Sequence, residues 1–398
     1  MPASPGKCPQ AQVYWTAFIG LLFDYYDLYL FIYLDHVLAA QFRLTPAASN
    51  LLQFIGLAGV GAGALGFGWL ADRRGRGRIL LLVFGVYGLG LGGLSLAWNF
   101  PSLAGFRLLA SLALGAEWGI SHTFLAERVD RETRYRYAAL LQLAILGGLL
   151  AALAKTHLLA LLGWRGLFAA SIGPVAVLSL FRWKALAGEA GLPRADAPDQ
   201  RDERAGLGAS PQAGARWKPG AFRTNAAPFA VCLGLSGLTI ASGTINVFFA
   251  KDLPQGTAAT VLFWFNVVPG MLGGAWIVRR FGVARGLAAY ALALIALSGW
   301  AWSSPWPSRA LVFALALPLL NGIPFGLMGA FFNEVFGEYR TMFSGAAYNL
   351  GRIVAGFSPA LITGFGLHDQ GNYFVFTAAL GAGVLALSGA AARLVRRM

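Results

Sequence analysis

Residues 13–34 read VYWTAFIGLLFDYYDLYLFIYL. The run is long enough to cross a bilayer, yet it holds two carboxylates, Asp24 and Asp27, near its middle. At that depth each acid costs on the order of 2.5–3.5 kcal/mol on insertion scales. At 100° per residue Thr16, Gly20, Asp24, Asp27 and Phe31 fall on one stripe, so both acids point the same way. Acids placed at such a cost mark a functional site. Asp35, at the outer end of the run, needs no special role.

The rest of the chain follows the same pattern. Of its 398 residues 57% are hydrophobic and 12% charged, against about 25% charged in soluble domains. Only helices or closed barrels satisfy their backbone in lipid. The apolar runs here are long and continuous, not short and alternating as barrel strands are, so an all-α membrane protein is expected. A window of about 19 residues gives twelve transmembrane helices. Six lie near 13–34, 48–70, 79–98, 102–125, 137–162 and 166–184. Six more lie near 226–249, 257–278, 285–302, 309–332, 342–365 and 372–394. Between the sets, Gly188 to Pro219 is rich in Ala, Gly, Pro, Asp and Arg and reads as a solvated linker. The expected organisation is a six-helix bundle over 1–187, a cytoplasmic linker over 188–224 and a second six-helix bundle over 225–398.

The net charge of +14 invites comparison with nucleic-acid binders, but its placement argues for topology. Arg73, Arg74, Arg76 and Arg78 follow span two, and Arg128, Arg131, Arg134 and Arg136 follow span four. Arg279, Arg280 and Arg285 follow span eight, and Arg393, Arg396 and Arg397 close the chain. The alternate loops carry only isolated cations. By the positive-inside rule both termini and the linker are cytoplasmic, and the expected partners are the lipid bilayer and its anionic headgroups, with no nucleic acid. A monomer in the cell's inner (plasma) membrane is expected. Cys8 and Cys232 make no disulfide framework. Acids interrupt the first run and no small-residue cleavage site follows it, so it is not read as a cleavable signal.

The loop after span two, Gly68-Trp69-Leu70-Ala71-Asp72-Arg73-Arg74-Gly75-Arg76, combines glycines that permit a tight turn with charges that can bind across a helix interface. It resembles the loop 2–3 signature of the major facilitator superfamily, and the six-plus-six layout with its central linker is similar to that family over nearly the whole chain. The resemblance implies two pseudo-symmetric six-helix bundles. It also implies that this loop acts as a conformational latch, with Gly68, Asp72, Arg73, Gly75 and Arg76 as gating residues. The corresponding loop, Gly274 to Gly282, has Arg279 and Arg280 but no acid, so a one-sided latch is expected.

Span four carries Arg107, Gly115-Ala116-Glu117-Trp118-Gly119, His122 and Glu127. This looks like the Gly-Gly-Glu-Trp pattern of the sialate/lactate proton-symporter group, with Ala116 in place of a glycine. The Asp-x-x-Asp of span one, Trp164-Arg165-Gly166-Leu167-Phe168 and Tyr348-Asn349-Leu350-Gly351-Arg352 resemble the same group. By rotation Arg107, Ser111, Gly115, Trp118 and His122 share a face, with Glu117 about 80–100° from its centre. Glu117 reads either as a proton-carrying acid or as the buried partner of an arginine. His122 reads either as a proton relay or as a hydrogen-bonded bundle histidine, and Glu127 as a gating salt bridge. Arg107, one turn into the span, is close enough to the outer interface to snorkel.

In span eleven Tyr348, Asn349, Arg352, Gly356 and Thr363 share a face, with Arg352 near mid-depth. A cation there must be paired, and its planar fork suits a carboxylate. The pairing is either permanent, with Asp24, Asp27 or Glu117, or exchangeable with a substrate. Span seven aligns Ser236, Thr239, Gly243 and Asn246, which, like Asn266 and Asn321, either meet a polar solute or hold helices together. Glu334 and Glu338 read as solvated loop charges.

The resulting expectation is a secondary active transporter whose halves rock around a midplane site. The resemblance implies proton-coupled symport of a small organic anion such as a monocarboxylate or sialate. Asp27, Asp24 and Glu117 are the coupling acids, with Asp27 first. Arg352, Tyr348, Asn349, Arg107, Trp118, His122 and Asn246 are the substrate contacts. The alternative is an uncoupled facilitator or exporter of a neutral or zwitterionic metabolite such as a sugar, polyol or betaine. A receptor or membrane enzyme is a different class. The sequence shows no metal cluster, no nucleophile–base constellation and no Gly-x-x-x-x-Gly-Lys-Ser/Thr loop, so no cofactor is expected.

Overall fold

Long apolar runs with few breakers become helices once lipid withholds any other partner from the backbone. The computed structural model describes residues 10–130, 133–190, 220–250, 261–262, 264–304, 308–357 and 370–396. Its first half contains α1 (Gln10–Tyr33), α2 (Asp35–Phe42), α3 (Pro46–Arg74), α4 (Arg76–Leu96), α5 (Phe100–Ala126), α6 (Arg134–Gln142) and α7 (Gly147–Ala190). Its second half contains α8 (Ala221–Ala250), α9 (Val267–Phe281), α10 (Val283–Ser303), α11 (Ser308–Val335), α12 (Arg340–Gly356) and α13 (Gln370–Arg396). The fold class is the all-helical one expected, and the described part of each of the twelve spans is largely helical. Among the described residues eight helical stretches are long and apolar enough to cross a membrane, or nine if one bent pair is a single span. The stretch Arg134–Leu180 carries two of the twelve, because α7 bends at Gly163, where φ is 63°. The linker expected between the halves lies mostly on residues 191–219, outside the described residues.

Several boundaries follow from local chemistry. Thr45 accepts the Ala48 N–H ahead of Pro46, and Asn99 and Ser102 form a reciprocal capping box before α5. Gly75 joins α3 to α4 at φ 93°, and Gly282 joins α9 to α10 at φ 84°, a region open to glycine. These two turns occupy equivalent places in the two halves. Two details were not anticipated. Span five is interrupted by a 3-10 turn at Leu143–Leu146, and α2 leaves α1 at 54°, with Asp35 accepting hydrogen bonds from Ser49 and Gln53 at 2.9 Å each.

The second span meets the fourth in each half through reciprocal small residues. A Cβ on Gly63 would run into the Leu112 carbonyl, and one on Gly115 into the Val60 carbonyl. In the second half Gly270 abuts the Leu319 carbonyl and Gly322 the Val267 carbonyl. Such contact lets van der Waals packing replace the hydrophobic effect that lipid removes. Gly63→Val is accordingly expected to destabilise the first bundle by about 3 kcal/mol, read as a lowered thermal midpoint in detergent. The halves join where α12 packs on α3 and α5, and where α6 packs on α9 and α11. One apolar cluster stays within the first half, and the other runs across the junction.

Candidate functional site

The junction encloses a small cavity. Leu21, Asp24, Tyr25 and Leu28 of α1 form one wall, Leu114 and Trp118 of α5 a second, and Arg352 of α12 the third. Its free volume is about 10 Å³ for the centre of a water-sized sphere, room for about one water. A solute enters only if the halves part.

Aromatic faces and a hydrogen-bonded chain run from the lining residues Trp118, Tyr25 and Arg352 into the protein behind them. The Trp118 indole lies parallel to the Tyr348 ring, with centroids 3.9 Å apart and planes 3° off parallel. Trp118 Nε1 donates to Gln142 Oε1 at 3.1 Å, and Gln142 Nε2 donates to the Tyr25 hydroxyl at 2.7 Å. The Tyr25 and Tyr348 hydroxyls are 3.0 Å apart, and Arg352 donates to the Tyr348 oxygen at 3.4 Å. The Arg352 guanidinium carbon stands 5.7 Å from the Tyr25 ring centroid and 5.1 Å from that of Tyr348. Five residues from four stretches of chain thus link the two halves. Tyr29 and Trp264 meet edge to face nearby at 4.7 Å.

The paired acids of α1 part company. Asp24 lines the cavity, whereas Asp27 faces Arg107, with Oδ2 3.6 Å from Nη1. Arg107 does not snorkel: it is 3% exposed and Asp27 is fully buried. The guanidinium lies 3.8 Å above the Phe31 ring, in space that Gly56 leaves open. Among the described residues neither Asp27 oxygen nor Arg107 Nε and Nη1 makes a hydrogen bond. The pair is therefore held by charge alone in a buried place, a loosely satisfied arrangement.

The other candidates sit around this centre. Glu117 is fully buried and accepts from Ser121 at 2.8 Å, on a side of α5 that does not line the cavity. His122 stacks on Trp118 at 4.2 Å, contacts its carbonyl through Nδ1 at 3.0 Å and packs on Gly329 of the other half. Asn349 turns away from Tyr348 and Arg352, donating to the Gly115 and Gly345 carbonyls at 2.9 and 3.0 Å. It therefore ties α12 to α5. In span seven Ser236 donates to the Ala347 carbonyl at 2.7 Å, while Asn321 accepts from Ser242 and Tyr290 at 2.9 Å each. These bonds hold helices of the second half together. The side chain of Asn246, Thr363, and the loop residues before Val261 lie outside the described residues.

At the arginine-rich end the loop after α3 grips the start of α12. Asp72 accepts the Met342 N–H at 2.9 Å and the Thr341 N–H at 3.2 Å, so a carboxylate from the first half caps a helix of the second. Arg76 binds Asp72 at 3.0 Å, Glu127 at 2.8 Å and the Thr341 hydroxyl at 3.0 Å. Burial pushes the Glu127 carboxyl above its ordinary range, while Arg76 and Arg340 pull it down. Gly68 lets Met342 approach, Gly75 turns the chain, and Arg73 covers the Trp69 ring at 4.4 Å. The equivalent start of α6 has no side-chain cap. There Glu334 accepts from Tyr135 at 2.6 Å and lies 3.9 Å from Arg134, so this acid bridges the halves. Asp72→Asn is expected to weaken closure by about 1–2 kcal/mol. An otherwise cysteine-free chain carrying Ser344→Cys, fully buried here, should then be alkylated roughly tenfold faster.

Two residues of the hydrogen-bonded chain carry weaker signals in the sequence. Tyr25 stands between two acids and has no charge of its own to mark it. Gln142 had a legible signal, a lone amide in an apolar span, since such a group in lipid needs a partner.

The matches to known proteins agree with this fold. Residues 17–359 match the Major Facilitator Superfamily. A cis,cis-muconate transport protein of Acinetobacter baylyi is 27% identical over 367 residues, covering 87% of this chain and 85% of the relative. A sialic acid transporter of Escherichia coli is 25% identical over 175 residues, 44% of this chain and 43% of the relative. The solved E. coli fucose:proton symporter has the same fold, with a TM-score of 0.70 at 13% identity over 96% of this chain and 98% of that one. Six-plus-six helices around a central cavity, an Asp72 carboxylate that caps α12 from the other half and a match across most of the length have one meaning: the chain belongs to the Major Facilitator Superfamily and is a transporter of small metabolites, not an enzyme.

Proposed function

We propose that the protein is a proton-coupled symporter of a small organic anion, with Arg352 as the carboxylate anchor and Asp27 as the coupling acid. The observation that carries this reading is the placement of Arg352. It is an arginine at the junction of the halves, faced by aromatic rings and lining a cavity that also holds Asp24. A guanidinium binds a carboxylate bidentately, and flat aromatic walls favour a planar solute. Muconic and sialic acids, which name two of the relatives, both carry carboxylates.

Coupling follows from competition for positive charge. Burial disfavours an ionised carboxyl and a nearby arginine favours it, so a change in the 3.6 Å Asp27–Arg107 separation changes the ease of protonation. The arginine-rich loops support, by the positive-inside rule, a reading in which both termini and the linker are cytoplasmic and the bundles at 1–187 and 225–398 rock as one monomer in the inner membrane. Purified protein in proteoliposomes tests this. An acidic exterior should drive uphill accumulation of cis,cis-muconate or N-acetylneuraminate, and collapse of the proton gradient should stop it. Accumulation indifferent to the gradient would refute coupling, and binding of neutral sugars alone would refute the anion.

A further inference from the structure

The hydrogen-bonded chain beside the cavity has an obligate donor at each end. The indole N–H of Trp118 only donates, so the Gln142 atom facing it is the oxygen, and the Gln142 nitrogen is left to donate to Tyr25. The guanidinium of Arg352 only donates, so the Tyr348 oxygen accepts. Between these ends stand two phenols carrying two hydrogens. One hydrogen lies in the Tyr25–Tyr348 bond. Among the described residues neither phenol has a further acceptor, so the second hydrogen is left over whichever way the shared bond points. If Tyr25 donates to Tyr348, the Tyr348 hydrogen is spare. If Tyr348 donates, the spare one is on Tyr25, which lines the cavity next to Arg352.

We propose that Tyr25 and Tyr348 are specificity-determining residues that act as an interchangeable pair, giving the bound solute one phenolic hydrogen bond beside Arg352. Gln142 orients the pair from behind as a positioning residue. Together with Arg352 the pair offers donors only, and so selects a group made only of acceptors at this wall of a cavity that Asp24 also lines. A carboxylate satisfies both the spare O–H and the guanidinium, whereas a carboxamide turns an N–H toward one of them and leaves a buried donor unpaired. The inference rests on the reading of Arg352 as the anion anchor, and adds a discrimination that Arg352 alone does not supply.

The pair has an unusual signature. Tyr348→Phe leaves the Tyr25 hydrogen free to turn to the solute, and Tyr25→Phe leaves that of Tyr348. Only the double variant has none. Affinities of cis,cis-muconate and its diamide, measured by titration on the full-length protein, test this in a double-mutant cycle. Each single variant should weaken muconate binding by no more than roughly threefold, and the double variant by roughly thirtyfold or more, beyond the product of the singles. The diamide should change little in all three, which also reports that the fold persists. Should the double variant fail to fold, Tyr25→Phe with Tyr348→Met, equally without a donor, takes its place. Multiplicative losses, or equal losses for muconate and diamide, overturn the proposal. Failure of the underlying anion reading looks different: wild-type protein would prefer the diamide, or Arg352→Gln would bind muconate unchanged.

Discussion

Arg352→Gln is expected to weaken carboxylate binding by about 2–5 kcal/mol, roughly thirtyfold to several thousandfold. The guanidinium already stands against two phenol rings and a phenolic oxygen, so it is held in place before the solute arrives, and little ordering opposes binding. Glutamine keeps polarity and some length but loses the charge and the fork. Arg352→Lys restores the charge as a point rather than a plane and should recover only part of the affinity. Titration calorimetry with cis,cis-muconate reads both variants. Wild-type affinity in Arg352→Gln would remove the anchor from the mechanism.

The second large effect concerns Asp27. In Asp27→Asn, uphill accumulation should fall to background while solute exchange across the membrane continues, because the carboxyl that gains and loses the proton is gone but the binding wall is not. The same change strands Arg107, 3% exposed, without its partner. Removing one member of a buried pair costs about 3–5 kcal/mol, and the 3.6 Å separation without hydrogen bonds puts this pair at the low end. Asp27→Asn combined with Arg107→Gln should therefore regain much of the lost stability without regaining accumulation. Counterflow and thermal-midpoint measurements on the two variants separate the roles. Accumulation restored in the double variant would assign coupling elsewhere, with Asp24, which lines the cavity, first in line.

Both predictions depend on partnerships that the chain hides. Arg107 stands 80 positions from Asp27 and had an equally sound alternative, the outer interface. Its burial follows from Gly56 and Phe31, which make a pocket for it only once α1, α3 and α5 are assembled. The same holds for Asn349. It shares a helical face with Tyr348 and Arg352, yet the close approach of α12 to α5 gives its amide a backbone carbonyl in place of the cavity. Rotation about one helix axis places residues to within an arc, and a neighbour's small residue decides which side of that arc is occupied. The contacts of Asp72 were more legible. Asp72 and Arg76 stand one turn apart, so their mutual bond is local, while the cap on Thr341 and Met342 depended on the fold.

By itself the sequence determined the helical class, the twelve spans, their division into two sets of six and the acids of span one as a costly feature. Each of these is one-dimensional: the length of an apolar run, the sign of a loop, a charge where lipid opposes it. Only the tertiary structure decided that Asp27 meets Arg107, that Arg352 faces phenols, and that Gln142 ties Trp118 to Tyr25. Those pairings lie between helices far apart in sequence, where van der Waals fit between small residues sets distance and rotation, and hydropathy is blind to both.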